Sequence, residues 1–371
     1  MAGADCRARD GVGKGTPQFA KLAGGGSVAR MRAIVVREHG DTDKLLLEER
    51  PVPTPGPGEV RIAMRAIGVN HLDTWVRRGV PGHTFPLPLV LGSDGAGVVD
   101  ALGAGVSTVR EGDEVVVLPG VSCGACEACQ AGDDNLCRQY AIAGEGRDGV
   151  CADYAVLPAA NVAPKPRGLK FLQAASVALV FQTADAMLRK ARLREGDTIL
   201  VHAAGSGVGS AAVQLAKLRG AVVIGTAGGE AKVRAARELG ADFVIDSKTE
   251  DFAQRVRDLT GKRGVEVVFE HVGALTFPGS VRSLARGGRL VTCGATTGGK
   301  VDVSLHQLFF KNLELIGNTM GRKGDLRRLL RLFDQGRLRP VVDRVLPMTQ
   351  VGEAHRLLET RQAFGKIVLE P

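Results

Sequence analysis

The sequence predicts an α/β protein in which a doubly wound parallel sheet is combined with a β-rich part. Three observations carry this prediction. Strand-like and helix-like segments alternate from about residue 160, short strands with dense glycine and proline turns fill residues 31–158, and an apolar run ends in a glycine-rich turn at residues 198–209. Alternating strands and helices form a parallel sheet covered by helices.

The composition suggests two domains and excludes some classes of partner. The chain has 371 residues, 44% of them apolar and 24% charged, as is usual for a globular protein. Aromatic residues make up only 4%, which argues against stacking platforms for nucleic-acid bases. The first thirty residues supply +3 of the net charge of +9, and the remaining +6 is spread along the chain, so it suits an anionic cofactor without indicating DNA or RNA.

Residues 1–30 are rich in glycine, alanine and arginine and show no periodicity, so we expect a disordered tail before an ordered strand that begins at Met31. A start codon placed too early and a cleaved transit peptide are the alternatives. No apolar run approaches the roughly 20 residues that span a membrane. Because the N-terminus also lacks the apolar core of a signal peptide, we expect a cytoplasmic protein without a membrane partner.

The β-rich part is predicted from short segments separated by turns. Strands are expected at residues 32–36, 59–67 and 115–118. Apolar and polar side chains alternate in the second segment, as in a strand with one face in water. Residues 68–79 are expected to form a turn that leads into a short helix.

Four cysteines follow at Cys123, Cys126, Cys129 and Cys137. Thiolates at these spacings can close a tetrahedral site around a single zinc ion, and four protein ligands leave no open position, so the metal would be structural. Disulfides are the poorer interpretation in a reducing compartment. The zinc would stabilise a lobe, residues 120–140, that has little apolar sequence of its own.

The glycine-rich turn predicts a dinucleotide site. It runs from Ala203 to Gly209, between a β-branched apolar run and a helical pattern. Such a turn lets the backbone approach a pyrophosphate, and the helix that follows presents free N–H groups at its positive end. The usual G-x-G-x-x-G fingerprint is not matched, because Ala204 and Ser206 stand where two glycines are expected, but both are small enough to preserve the turn.

Six strand candidates predict the parallel sheet. They are residues 198–203, 222–227, 243–247, 265–270, 289–294 and 313–317, with helical patterns between them, for example at 230–239 and 252–259. Beyond residue 306 the sequence predicts a helix at 326–333 and a strand at 366–369.

Together these features make residues 31–371 similar to the medium-chain dehydrogenase/reductase superfamily. The resemblance rests on Gly92-x-Asp94-Gly-Ala-Gly-Val-Val99, the cysteine lobe, the turn and Gly365-Lys366. It implies a Rossmann dinucleotide-binding domain at residues 159–306, inserted in a GroES-like catalytic domain made of residues 31–158 and 307–371. The active site would lie in the cleft between the domains. Relatives pair through the edges of their nucleotide-binding sheets, which implies a homodimer or homotetramer.

The chain departs from the zinc alcohol dehydrogenases of this superfamily at their catalytic metal. The positions of the three usual ligands hold Asn70, Ser93 and Leu179, and Leu72 replaces the hydroxyl residue that relays the alcohol proton. Without that Lewis acid, an alcohol is not readily ionised near neutral pH. Asn70 with Asp73 resembles instead the quinone oxidoreductase branch, whose members lack catalytic zinc and use NADPH to reduce quinones or carbonyl-conjugated C=C bonds.

The resemblance favours NADPH over NADH. Ala227 stands where NAD-binding folds carry an acidic residue, and Lys232 lies where the quinone oxidoreductase branch has a phosphate-binding lysine. Glu230 is the contrary sign, because it could accept the ribose hydroxyls. The resemblance implies a set of cofactor-binding residues, which are Asn70, Thr183, Gly205, Ser206, Gly207, Val208, Thr226, Ala227, Lys232, Val272, Gly294, Ala295, Asn318 and Lys366.

We therefore expect an NADPH-dependent oxidoreductase that transfers hydride to a quinone or an activated C=C bond of a small molecule. Asn70 is the expected catalytic residue, through its stabilisation of the enolate oxygen, although it could simply form a turn. Asp94 is expected to pair with a cation such as Lys366. Two alternatives stay open: an alcohol dehydrogenase with a metal held by Asp94, His71 and Asp73, and an NADPH-binding protein without turnover.

Overall fold

The structure of the protein, a computed structural model, describes residues 28–371. The prediction of a disordered tail therefore concerns residues that lie almost wholly outside the described range.

The strands are β1 (Arg30–Val36), β2 (Leu46–Pro51), β3 (Glu59–Val69), β4 (Leu89–Val90), β5 (Asp94–Leu102), β6 (Glu114–Val117), β7 (Gly120–Val121), β8 (Ala141–Ile142), β9 (Tyr154–Pro158), β10 (Val162–Pro164), β11 (Thr198–Val201), β12 (Val222–Ala227), β13 (Phe243–Asp246), β14 (Val265–Glu270), β15 (Leu284–Thr292), β16 (Glu314–Gly317), β17 (Val342–Pro347) and β18 (Lys366–Glu370). The α-helices are α1 (His71–Arg78), α2 (Glu127–Gln130), α3 (Phe171–Ala174), α4 (Ala178–Lys190), α5 (Gly207–Leu218), α6 (Glu230–Glu238), α7 (Phe252–Leu259), α8 (Phe277–Ser283), α9 (Leu305–Lys311), α10 (Lys323–Asp334) and α11 (Val351–Glu359).

Six strands form a parallel sheet in the order β13-β12-β11-β14-β15-β16. This is the doubly wound order, in which the chain crosses over on opposite sides of the central β11–β14 pair. Ile199, Leu200 and Val201 of β11 are fully buried, as a strand covered by helices on both faces requires. Loops diverge at the carboxyl ends of the central pair and leave the crevice in which such folds bind ligands.

A second sheet joins the beginning of the chain to its end. Its path is β10-β6-β5-β3-β18-β17, and β9 also pairs with β3. Strand β18 runs antiparallel to β3, so the last residues of the chain complete a sheet that its first part begins. Two small sheets, β2-β1-β4 and β7-β8, accompany it.

The six-stranded sheet extends past residue 306. Strand β16 pairs in parallel with β15, and its last pair joins Thr292 to Gly317. The prediction that the dinucleotide-binding domain ends at residue 306 would separate this strand from its own sheet. We therefore propose that the domain boundary lies after Gly317.

One segment, Phe171–Lys190, is long and apolar enough to cross a membrane, whereas the sequence analysis expected no such run. Its most apolar stretch is 83% buried inside the protein, as in the core helix of a globular domain. Most of the segment is α4, whose Phe181 packs edge-on against Phe333 of α10. Its apolar composition is thus explained by internal packing.

Candidate active site

The glycine-rich turn joins β11 to α5 at the carboxyl edge of the parallel sheet. Ser206 caps the helix, because its Oγ accepts a hydrogen bond from the Gly209 N–H at 2.9 Å. Glycine is needed at 209, since a Cβ there would lie 2.2 Å from the carbonyl oxygen of Ala203. The first N–H groups of α5 have no acceptor within the helix, so Gly207 and Val208 can offer theirs to a pyrophosphate.

The same edge gathers other residues that were predicted to bind the cofactor. Thr226 ends β12 beside the turn, and its Oγ1 accepts a hydrogen bond from the Ala203 N–H at 3.0 Å. Val272 follows β14, and its carbonyl oxygen accepts from the Thr297 N–H at 2.8 Å. This bond ties together the loops that hold Val272 and the Gly294–Ala295 pair. The structure thus brings the predicted residues of four strand ends into one region.

Thr183 and Asn318 both contact Met320, in the segment that follows β16. The Thr183 Oγ1 is 3.9 Å from the sulfur of Met320, and the Asn318 side-chain amide donates to the Met320 carbonyl oxygen at 2.9 Å. The Asn318 Oδ1 is buried and has no partner among the described residues. It is therefore able to accept a hydrogen bond from a bound ligand.

Asn70, Asp94 and Lys366 form a buried polar cluster where β3, β5 and β18 lie side by side. The Lys366 ammonium donates to the Asn70 Oδ1 and, at 2.9 Å, to the Asp94 carboxylate. The Asn70 amide donates to the same carboxylate at 3.1 Å. The backbone N–H of Leu179 donates to its other oxygen at 2.8 Å. The expected Asp94–Lys366 pair is therefore present. It directly contacts Asn70 and Leu179, which are two of the three residues at the positions where zinc alcohol dehydrogenases carry their catalytic metal ligands.

These contacts engage both N–H donors and the oxygen of the Asn70 side-chain amide. Its oxygen accepts from Lys366, and its nitrogen donates to Asp94 and, at 3.3 Å, to the Gly68 carbonyl oxygen. Its backbone N–H donates to Asp73 at 2.7 Å, and burial raises the pKa of the Asp73 carboxyl to about 6. A direct role of Asn70 in catalysis stays a prediction, and it would require this amide to exchange one of these bonds for the substrate.

The structure places Lys232 on main-chain oxygens. Its ammonium donates to the carbonyl oxygens of Arg361 at 2.6 Å and Ala363 at 2.8 Å. These bonds hold the segment before β18 against α6, and the ring of Phe364 in that segment lies over Gly205. These bonds engage two of the three N–H donors of the ammonium, and binding of a phosphate by Lys232 stays a prediction.

A buried network that the sequence analysis did not identify lies at the end of β14. Glu270 is fully buried and accepts hydrogen bonds from the Val272 N–H at 2.6 Å and from the hydroxyls of Thr276 and Ser280 at 2.8 Å each. Burial raises the pKa of Glu270, but the nearby His202 and these donors outweigh it and lower the pKa overall. The position of Glu270 at a strand's carboxyl end was the signal that could have pointed to it.

Two histidines near the turn are held in the neutral form. The Nε2 of His271 lies 2.9 Å from the Ser206 Oγ. Burial lowers the pKa of His271 to about 4. Burial, with the charges of Lys366 and Arg361, likewise lowers the pKa of His71 to about 4. Near neutral pH both imidazoles can therefore exchange hydrogen bonds without adding charge to the crevice.

The four cysteines lie together in the loop between β7 and β8. Their sulfurs are all within 4.8 Å of one another, with 3.5 Å between Cys123 and Cys137 and 3.9 Å between Cys123 and Cys129. Zinc–sulfur bonds of about 2.3 Å at tetrahedral angles separate neighbouring sulfurs by about 3.8 Å. The backbone N–H groups of Ala125 and Cys126 lower the pKa of Cys123 to about 6, which favours the thiolate that a metal needs. The residues present thus fit a zinc ion.

The cysteine lobe, residues 120–140, contacts the segment that follows β16. The Lys323 N–H donates to the Asp134 carboxylate at 3.0 Å, and the Lys323 ammonium donates to the Ser122 Oγ at 2.9 Å. Arg322 forms an ion pair with Asp133. The lobe therefore supports the segment that contains Met320, next to Thr183 and Asn318.

Within residues 28–371, the cysteine cluster is the group in which three or more His, Cys, Asp or Glu side chains come close enough to share one metal ion. Asp94, His71 and Asp73 do not form such a group. Asp94 is turned instead toward Lys366, Asn70 and the Leu179 N–H. The alternative metal site considered from the sequence is therefore not assembled.

Comparison with protein families gives two matches. Residues 56–167 match the model described as alcohol dehydrogenase GroES-like domain. Residues 207–335 match the model described as zinc-binding dehydrogenase. The two together cover well over half of the chain.

Related proteins carry several activities. The chain is 31% identical to an NAD-dependent alcohol dehydrogenase of Saccharolobus solfataricus, over 92% of this chain and 100% of that protein. It is 31% identical to a 2-haloacrylate reductase of a Burkholderia species (91% and 98% covered) and 28% identical to the quinone oxidoreductase of Rattus norvegicus (91% and 97% covered). A crystal structure of an NAD-dependent alcohol dehydrogenase superposes with a TM-score of 0.88 at 49% identity, covering 92% of this chain and 99% of that one.

Proposed function

The chain belongs to the medium-chain dehydrogenase/reductase superfamily, in which it fits the quinone oxidoreductase-like branch, and from that premise we propose that it reduces quinones or carbonyl-conjugated C=C bonds with NADPH and without a catalytic zinc. The observation that carries the proposal is the buried cluster of Asn70, Asp94 and Lys366. A protonated lysine in this position opposes the binding of a cation. It is compatible with a reaction in which negative charge develops on a substrate oxygen.

When bound, the reduced nicotinamide would supply the hydride. The chain's own residues would hold the pyrophosphate at the N-terminus of α5, with Gly205, Ser206, Gly207 and Val208 lining the approach. The stem of Lys366 lies against this turn, because a Cβ at Gly207 would be 3.0 Å from the Lys366 Cδ. The lysine therefore links the pyrophosphate end of the site to Asn70.

Lys366 would stabilise the oxygen on which charge develops. An ammonium has three N–H donors, and Asn70 and Asp94 accept two of them. The third is available for a substrate carbonyl or quinone oxygen. In this account Asn70 is a positioning residue that orients Lys366, and the neutral His71 and His271 offer further hydrogen-bond partners without competing charge.

A second candidate is NAD-dependent alcohol oxidation. The 49% identity to a solved protein named as an NAD-dependent alcohol dehydrogenase favours it. Asn70, Ser93 and Leu179 oppose it, because none of them offers the thiolate or imidazole that such a zinc requires. A binding protein without turnover is the third candidate, and only an assay separates it from the first.

The test is a paired assay on the purified full chain. NADPH oxidation is followed with a benzoquinone, an enone and a 2-haloacrylate, and NAD⁺ reduction is followed with a series of primary alcohols. The proposal expects turnover with at least one of the first group and a negligible rate with the alcohols. Oxidation of alcohols at rates above those of every acceptor would support the second candidate instead. Tight NADPH binding without reduction of any acceptor would support the third.

A further inference from the structure

The carboxylate at the end of β14 holds the loop that follows this strand. The Glu270 Oε1 accepts from the backbone N–H groups of Val272 at 2.6 Å and Gly273 at 3.2 Å. Its Oε2 accepts from the hydroxyls of Thr276 and Ser280 at 2.8 Å each. Glu270 is fully buried, and within residues 28–371 no lysine or arginine pairs with it. Because a buried carboxylate without a cation needs all of its donors, these bonds fix the loop as well as the side chain.

A chain of hydrogen bonds continues from Ser280 to the glycine-rich turn. The single hydroxyl hydrogen of Ser280 is directed at the Glu270 carboxylate, so the His202 Nε2, 2.8 Å from the Ser280 Oγ, is the nitrogen that donates. Burial lowers the pKa of His202, although Glu270 opposes this shift, and the other nitrogen of the neutral ring is therefore an acceptor. This Nδ1 lies 3.4 Å from the Thr226 hydroxyl, whose oxygen accepts from the Ala203 N–H at 3.0 Å.

The chain of hydrogen bonds joins the two halves of the parallel sheet. A dinucleotide-binding sheet consists of two mononucleotide-binding halves, and here β11–β13 form the first half and β14–β16 the second. Ala203 and Thr226 belong to the first half, and Val272 belongs to the second. The Val272 carbonyl oxygen also accepts from the N–H and the hydroxyl of Thr297, both at 2.8 Å. Glu270 therefore lies at the centre of bonds that connect the ends of β11, β12 and β14 with the loop after β15.

We propose that Glu270 is a positioning residue for the dinucleotide, which holds the loops of the two halves in the arrangement that binds both ends of the cofactor at once. Glu270 is fully buried and acts on the second half through Val272. It acts on the first half through Ser280 and His202. This inference deepens the proposed function and rests on it only for the binding of a nicotinamide cofactor, whichever substrate is reduced.

Two replacements of similar size separate the negative charge of Glu270 from its hydrogen bonds. Backbone N–H groups can only donate, whereas the hydroxyls of Thr276 and Ser280 can also accept. Glu270→Gln can therefore turn its oxygen toward the N–H groups of Val272 and Gly273 and its amide nitrogen toward the hydroxyls. Glu270→Met leaves both N–H groups buried without an acceptor, so the loop should leave its present conformation.

The test is a binding titration of the purified full chain that needs no turnover. The dissociation constants of NADPH and NADH are compared with that of adenosine 5′-monophosphate, which occupies only the first half. Glu270→Met should lower the affinity for the dinucleotides by about tenfold or more and that for the mononucleotide by less than about twofold. Glu270→Gln should stay within about threefold of the wild type for all three ligands.

Three results would overturn the assignment. They are an unchanged affinity for the dinucleotides in Glu270→Met, an equal loss for the mononucleotide, and a loss in Glu270→Gln as large as in Glu270→Met. The second would show general damage to the domain, and the third would show that the charge matters rather than the hydrogen bonds.

Ser280→Ala tests the connection between the halves while Glu270 stays in place, and it decides the question if Glu270→Met does not fold. It removes the acceptor of the His202 Nε2–H, so the affinity for the dinucleotides should fall by about threefold or more, with little change for the mononucleotide. The matched control is Ser283→Ala, a buried serine of the same helix whose hydroxyl donates to the Gly279 carbonyl oxygen at 2.9 Å. Equal affinities in the two serine variants would contradict the connection.

The two proposals can fail separately. Selective loss of dinucleotide binding in Glu270→Met, together with no reduction of any quinone or enone by the wild type, would support the role of Glu270 and contradict the proposed reaction. Reduction of those acceptors by the wild type, with undiminished dinucleotide binding in Glu270→Met, would contradict the role of Glu270 and leave the reaction intact.

Discussion

Lys366 and Asp94 form an ion pair of 2.9 Å with side chains that are 5% and 0% exposed. A charge in such surroundings is tolerated only when it is paired and fully hydrogen-bonded. Asp94 meets this condition through Lys366, the Asn70 amide and the Leu179 N–H. Loss of either the Asp94 or the Lys366 charge should therefore lower the free energy of unfolding.

Lys366→Met should destabilise the protein by about 3–5 kcal/mol, because Asp94 would be left buried without its cation. The measurement is urea unfolding near neutral pH. The double variant Asp94→Asn, Lys366→Met removes both charges and should recover a large part of the loss. A single variant that costs less than about 1 kcal/mol would contradict the account of a buried, mutually dependent pair.

Single residues could be predicted from the sequence where a motif fixed their chemistry, but not where a contact joins distant parts of the chain. The pairing of Asp94 with Lys366 followed from a family pattern. The bonds of Lys232 to Arg361 and Ala363 could not be predicted, because they depend on how the segment before β18 passes over α6. The same holds for the bond between His271 and Ser206.

At the scale of elements, helix α11 packs against α1 and carries a buried histidine. His355 is 1% exposed, and neither ring nitrogen has a hydrogen-bond partner among the described residues. Burial, together with the charges of Arg77 and His71, lowers the pKa of His355 to about 3. Because its folded-state pKa is depressed below about 6.5, its contribution to stability is full above that pH and is lost as the pH falls toward 3.

His355→Leu should therefore make the free energy of unfolding less dependent on pH. The decrease in slope should grow from about 0.7 kcal/mol per pH unit at pH 6.5 to about 1.4 near pH 5, the effect of one proton. Val351→Ala, a buried position of the same helix, should lower stability by a similar amount at every pH and leave the slope unchanged. Equal slopes in the wild type and His355→Leu would show that this histidine does not titrate on unfolding.

The cysteine lobe is the element that we expect to depend on a metal. Cys137→Ser should abolish zinc binding and lower the thermal midpoint, because four ligands are needed to close the site. The loss should extend to the neighbouring segment, which Lys323 holds to Asp134 and Ser122. Zinc content and a thermal melt provide the measurements.

Cys151→Ala is the matched control for the lobe. Cys151 is a buried thiol outside the cluster, and burial raises its pKa. Its replacement should leave the zinc content unchanged. Zinc retained by Cys137→Ser at the wild-type level would contradict the four-cysteine site.

Element positions could largely be read from the sequence, but some ends could not. The predicted strand at 198–203 ends two residues early in β11, where Ala203 takes a left-handed φ of 43° to enter the turn. The strand predicted at 289–294 begins earlier, at Leu284, because this residue pairs with Val265 before the register shifts. Arg286, Gly287 and Gly288 carry no strand signal, and they lie in the irregularity between the pairs Leu284–Val265 and Arg289–Val267, which only the structure shows.

For the whole molecule, the edge of the six-stranded sheet is the surface at which we expect two copies to pair. Strand β16 ends that sheet, and its Leu315 is 38% exposed. The nearby helix α9 exposes Leu305, Phe309 and Phe310. An exposed strand edge beside apolar side chains is a common site of association.

Leu315→Arg should shift the protein toward a monomer in size-exclusion chromatography with light scattering. The matched control is Leu46→Arg, since Leu46 is 39% exposed on β2, at the edge of the small sheet. It should leave the oligomeric state unchanged. An unaltered assembly in Leu315→Arg, or a monomeric wild type, would contradict pairing through β16.

The zinc content of active protein tests the central claim most directly. The protein is dialysed against a mild chelator, its zinc per chain is determined, and its NADPH-dependent reduction of a quinone and an enone is measured on the same sample. The account predicts one zinc per chain and an undiminished reductase rate. Two zinc ions per chain, with activity lost when the second is removed, would contradict reduction without a catalytic metal and would point to alcohols as substrates.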